Sequence, residues 1–136
     1  MAKAALGKEL LVEAQDKKGM LAKISSAIAS AGVNIRAICA CGEKGRAYFM
    51  MVTSNNSKAI KALKPLRFPV KEKEVVLLVL EDKVGAMEKV SEKLSSKGIN
   101  LKYIYATTGG NQKVCSLVFS SNNNKKAIEI IQKCRI

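Results

Sequence analysis

The chain has 136 residues, 48% of them hydrophobic, and carries 24 basic against 11 acidic side chains. The hydrophobic content supports a packed core and excludes wholesale disorder; the length allows one ordinary domain or two very small ones, and no apolar run approaches the roughly 20 residues of a membrane span. The net charge of +13 directs attention to anionic partners, yet the lysines are dispersed among Ser, Glu and Asn, as on a solvated surface.

In chain order, the opening MAKAALGKEL lacks an apolar signal core. This points to the cytoplasm, where Cys39, Cys41, Cys115 and Cys134 are read as reduced thiols. Residues 10–12 form a short apolar run, read as a strand. After a loop at 15–18, Leu21, Ile24 and Ile28 recur at helical spacing and are assigned to the core. Gly32 stops that helix. Strands follow at 34–40 and 46–53, joined through Gly42 and Gly45. A second helix covers 57–64, ended by Pro65, and residues 68–72 read as a closing strand.

The same order then recurs. Residues 16–38, DKKGMLAKISSAIASAGVNIRAI, align without a gap on residues 82–104, DKVGAMEKVSEKLSSKGINLKYI. The matches include Asp16/Asp82, Gly19/Gly85, Gly32/Gly98, Asn34/Asn100 and Ile38/Ile104. The strand at 75–80 (VVLLVL) does not alternate, which predicts burial on both faces. Met87, Val90 and Leu94 repeat the helical stripe, and Gly98 the stop. Strands at 100–107 and 113–120 flank Gly109-Gly110, and a last helix covers 124–133. Ser54-Asn55-Asn56 matches Ser121-Asn122-Asn123.

Each copy is βαββαβ, the ferredoxin-like order. Crossover handedness places both helices on one face of an antiparallel sheet. The fold class is α+β, with repeats at 1–73 and 74–136. Only Cys134-Arg135-Ile136 follow the last helix, too few for a good fourth strand. Residues 68–73 run almost directly into 75–80, which suggests one long strand. The second repeat is then left with an edge beside 75–80, to be filled by another segment or a partner chain.

These residues carry a resemblance. The pattern Asp16, Gly19, Leu21, Ile24, Ile28, Gly32-Val33-Asn34-Ile35, and its copy Asp82, Gly85, Met87, Val90, Leu94, Gly98-Ile99-Asn100-Leu101, resembles the ACT domain. Residues 8–134 look like a small stand-alone tandem ACT protein. The resemblance implies repeats that pair with one another, bind an amino acid or similar metabolite at their interface, and regulate a partner enzyme. Proline commonly precedes the loop glycine in that family; Lys18 and Val84 stand there here.

The loop residues suit such a ligand. A helix start leaves unpaired N–H groups at Gly19, Met20 and Leu21, and its dipole attracts a carboxylate. Gly19 admits close approach, Lys17 and Lys18 add positive charge, and Asp16 can accept an ammonium. Asn34 and Ile35 open the neighbouring strand. The second copy offers Asp82, Lys83, Val84, Gly85, Ala86, Met87, Asn100 and Leu101. On the alternative reading, Asp16 and Asp82 only cap helices, and the asparagines only shape turns.

Other functions fit less well. Histidine is absent, which removes the commonest general base, and no nucleophile elbow, P-loop or HExxH motif appears; the chain reads as a non-enzyme without cofactor. Cys39 and Cys41 share a strand face, but zinc would require all four cysteines to converge, so they read as small buried hydrophobes. Residues 44–51 echo the RNP1 signature of RNA-binding RRM domains, but Arg46 and Met51 replace aromatics and rings are scarce, which disfavours nucleic acid. A ligand-free pairing module remains a further alternative. Homodimerisation is expected.

Overall fold

The computed structural model describes residues 2–108 and 113–133. The elements are β1 (Lys3–Gln15), α1 (Met20–Ser30), β2 (Ile35–Glu43), β3 (Arg46–Thr53), α2 (Asn56–Leu63), a 3-10 turn (Lys64–Leu66), β4 (Val70–Glu81), α3 (Ala86–Ser96), β5 (Leu101–Thr108), β6 (Val114–Ser121) and α4 (Asn124–Lys133). The chain divides into two compact units, Lys8–Lys73 and Met1–Gly7 with Glu74–Ile136. We refer to them as the first and second units.

In the first unit the strand order is β2-β3-β1-β4; in the second it is β1-β4-β6-β5. Antiparallel pairing joins β1 to β3, β2 to β3, β4 to β6 and β5 to β6. Each unit is a ferredoxin-like α+β repeat. The repeat boundary differs from the expected 1–73 and 74–136 at one end: residues 1–7 join the second unit.

The reason is the unfilled edge of the second repeat. The segment that fills it is the chain's own N-terminus. β1 extends well upstream of the apolar 10–12 run, and Ala4 is buried in a core with Val76, Leu78, Leu80 and Phe119. Gln132 Nε2 donates to the Ala4 carbonyl at 3.1 Å. A methyl at Gly7 would lie 2.6 Å from Leu77 Cγ, so only glycine lets the strand approach so closely. β4 is one continuous strand from Val70 to Glu81. Its Val75, Val76, Leu78 and Leu80 are buried, while Leu77 and Val79 are half-buried. Residues 109–112 and 134–136, which include Gly109-Gly110 and Cys134, lie outside the described residues.

The helical stripes are displaced at their first position. Met20, Ile24 and Ile28 are the buried face of α1, and Ala86, Val90 and Leu94 that of α3. Leu21 and Met87, expected in the core, are 49% and 43% exposed. At the first turn of α1, Leu21 borders an open cavity with residues of β2 and β3 instead of entering the core. The cysteines also depart from the buried reading: Cys41 is exposed, and Cys39 and Cys115 are only half-buried.

The later sequence match is out of register by one. Thr53 Oγ1 donates to Asn56 Oδ1 at 2.6 Å, and Ser121 Oγ to Asn124 Oδ1 at 2.8 Å. Asn56 Nδ2 donates to the Lys8 carbonyl, as Asn124 Nδ2 does to that of Glu74, each at 3.2 Å. Asn55 and Asn123 each cap their helix, accepting from the amides of Lys58 and Lys126. The equivalent segments are therefore 53–56 and 121–124, and the asparagines fasten α2 and α4 to the first strand of each repeat.

Candidate functional site

The first loop leaves β1 at Gln15 and is anchored by the Asp16 amide, which donates to the Gly45 carbonyl at 3.0 Å. Gly19 then turns the chain with φ 85°, a left-handed conformation that glycine adopts cheaply. α1 begins at once. No side chain caps it, and its first turn holds no acidic residue. The contrast with Asn55 on α2 is direct. Asp16 is therefore not a helix cap.

Instead, Asp16 turns toward β2. Its carboxylate lies against Gly42, where any Cβ would strike it. Together they border a cavity of about 270 Å³ that also takes in Lys17, Gly19, Met20 and Leu21. Its floor is Ala40, Cys41, Ala47 and Phe49. The cavity thus joins bare helix amides, a carboxylate, an ammonium and an apolar floor. This can hold a small zwitterion: its carboxylate at the helix start, its ammonium at Asp16.

Lys18 is exposed and is not among the cavity residues. Nor are Asn34 and Ile35. Asn34 exchanges hydrogen bonds with Ser54, at 2.9 Å and 2.8 Å. Ile35 packs on the core. They precede β2 and start it, at the far end of α1, about 16 Å from the loop at 1.5 Å per residue. Within the repeat they do not join the loop. Asn100 pairs with Asn122 in the same way, and Leu101 packs on the second core.

The second loop has diverged. Gly85 is again left-handed, and α3 again lacks a side-chain cap. But Glu88 stands in the first turn of α3 and supplies its own negative charge there. The Ala86 amide donates to the Lys83 carbonyl at 3.3 Å. Lys83 Nζ pairs with Glu81 at 2.6 Å, and this ammonium is the chief cause that lowers the Glu81 carboxyl to about 2. Gln15, the counterpart of Glu81, is uncharged, so this ion pair is not repeated at that position in the first loop. Val84 is fully exposed, Met87 is exposed and Ala86 is buried.

Asp82 and Lys83 instead border a larger cavity of about 760 Å³, with Lys3, Val79, Glu81, Lys113 and Val114. It lies on the sheet face away from α3 and α4, because Val79 and Glu81 alternate with the core residues Leu78 and Leu80. The ion pair occupies its polar side. The first loop is the better receptor for an anion.

Sequence reasoning missed Gly42 and the cavity floor, which the end of β2 and the start of β3 bring to the loop. Among the described residues, no group of three or more His, Cys, Asp or Glu side chains could hold a metal. Of the two rings of the RNP1-like segment, Phe49 is buried in the first core and offers no stacking face, and Tyr48 is half-buried.

The architecture defines a class, the duplicated ferredoxin-like repeat with a glycine-turned loop before each first helix. The family whose model describes an ACT domain pair matches residues 7–136, and the chain belongs to it. A search of curated protein sequences gives no match. Among solved structures, protein BT0572 from Bacteroides thetaiotaomicron is 28% identical, with 96% of this chain and 89% of that one covered and a TM-score of 0.88. The ligand-free regulatory subunit of aspartate kinase from Thermus thermophilus is 15% identical over 98% and 97%, with a TM-score of 0.73. That of Thermus flavus is 17% identical over 96% and 95%, with a TM-score of 0.65. The two Thermus structures share the fold.

Proposed function

We propose that this chain is a non-catalytic regulatory module that binds an amino acid or similar small metabolite and signals to a partner. The observation that carries this is the uncapped start of α1 above the Asp16–Gly42 cavity. Membership of the ACT pair family supports it, and proteins of the same fold are regulatory subunits of an enzyme. The first loop is the principal site. The cavity is shallow, so a further ACT repeat supplies the remaining wall; a homodimer provides it. The setting is the cytoplasm, and the partner is an enzyme. Among the described residues, no helix is long and apolar enough to cross a membrane.

The test is a screen of the free amino acids, each at millimolar concentration, by thermal shift and amide chemical shifts. A ligand at a hundred times its Kd adds about 2.7 kcal/mol to stability. The reading predicts at least one such ligand, with shifts centred on Gly19 and Gly42. Uniform failure to stabilise, or shifts confined to other elements, defeats it.

A further inference from the structure

On the other side of Lys17 and Met20 lies a second cavity of about 320 Å³, formed wholly within the first unit. Lys17, Lys23, Arg46 and Arg67 border it, with Glu13 as its only acidic residue. Met20, Phe68 and Pro69 contribute apolar surface. Glu13 is already engaged: Arg46 donates to its carboxylate at 3.1 Å. Four cations around one concavity repel one another, and a single paired carboxylate leaves most of that charge unbalanced.

The backbone adds a second observation. Arg67 has φ 57° and ψ 27°, a left-handed conformation that disfavours any side chain with a Cβ. Glycine would suit the turn better. The position nevertheless carries a guanidinium, and the turn fixes it, with its amide donating to the Lys64 carbonyl at 3.0 Å. Such an outlier points to a use for the side chain.

The second repeat does not reproduce the cluster. Val79 stands at the counterpart of Glu13, and Lys83 is held by Glu81. Gln15 lies across from Arg46, whereas Glu81 lies across from Val114. Dispersed surface lysine therefore does not account for it.

We propose that this cavity is an anion site for a small phosphate-bearing metabolite. Two guanidinium forks match phosphate oxygens, and the lysines add charge without fixed geometry. The apolar surface suits a short organic body. The site is distinct from the loop cavity and stands whether or not that cavity binds an amino acid; Lys17 and Met20 border both.

The full chain is titrated with pyrophosphate, inorganic phosphate and malonate in about 150 mM potassium chloride, where the Debye length is about 8 Å. The amide shifts are followed. The proposal predicts saturable binding of pyrophosphate, with shifts at Lys23, Arg46 and Arg67 and little change at Gly42. Arg67→Gly, which relieves the backbone and so keeps the fold, weakens binding about tenfold. Glu13→Gln, which removes the competing carboxylate, strengthens it about threefold. Lys58→Ala, on α2, leaves it unchanged. Shifts spread over all the cations, equal loss in Lys58→Ala, binding of malonate alone, or a response only to oligonucleotides each overturns the proposal.

Discussion

Asp16 and Asn55 both stand just before a helix, yet their side chains do different work. Asn55 accepts from the Lys58 amide, so Asn55→Ala removes a cap and lowers stability by about 1 kcal/mol in chemical denaturation. Asp16 caps nothing. Asp16→Ala therefore leaves the unfolding midpoint nearly unchanged while abolishing the thermal shift from any amino-acid ligand. Equal destabilisation by the two variants would return Asp16 to a structural role. At Glu81 the sign of the pH effect follows from its partner. The neighbouring ammonium is the chief cause that lowers the carboxyl to about 2, so the pair is intact above the ordinary carboxylate range and is lost as pH falls through about 2. Carboxyl carbon shifts followed by NMR should show this midpoint, and Lys83→Ala should return it toward the usual value. Both groups are substantially exposed, so global stability hardly registers the change.

The elements differ in how openly the sequence announces them. Ile24 and Ile28, or Val90 and Leu94, recur at helical spacing, and α4 lies where its pattern places it. The N-terminal half of β1 carries no such signal. Lys3-Ala4-Ala5-Leu6-Gly7 is poor in β-branched residues and contains glycine, which strands disfavour; its strand state comes from the second unit's edge, which no local window contains. Gly7→Val tests that account. The added side chain meets Leu77, and overpacking costs about 1–3 kcal/mol, with amide exchange accelerated in β4 and β6 rather than in β2 and β3. The loop was legible because it is written twice: Asp16 and Gly19 recur as Asp82 and Gly85. Gly42 was not, since its meaning lies in an approach by a carboxylate 26 positions upstream. The basic cavity was hidden for the same reason, its cations coming from the loop, α1, β3 and the turn before β4.

For the whole molecule, duplication has not produced two equal sites. Glu88 and the Glu81–Lys83 pair neutralise the second loop, while the first keeps its bare amides, so binding should saturate at one amino acid per chain. Calorimetry measures that ratio directly, and two equivalent sites per chain would contradict the asymmetry. Nor are the repeats independent pieces. A fragment of residues 74–136 lacks the strand that completes its sheet. It should fold only when a peptide of residues 2–8 is added, by the dichroism of the mixture against that of its parts; independent folding of the fragment alone would refute this.

The bond between Gln132 and the Ala4 carbonyl joins residues 128 positions apart in the sequence. During translation residues 3–7 emerge before β4 and must wait, unpaired, until residues 74–133 have left the ribosome. Residues 8–73 can collapse meanwhile, leaving a sticky β-ribbon trailing from a finished body. On a crowded polysome, the matching stretch of a neighbouring nascent copy fits the vacancy equally well. Rapid synthesis at high expression should therefore yield interlocked dimers that dilution separates only after unfolding.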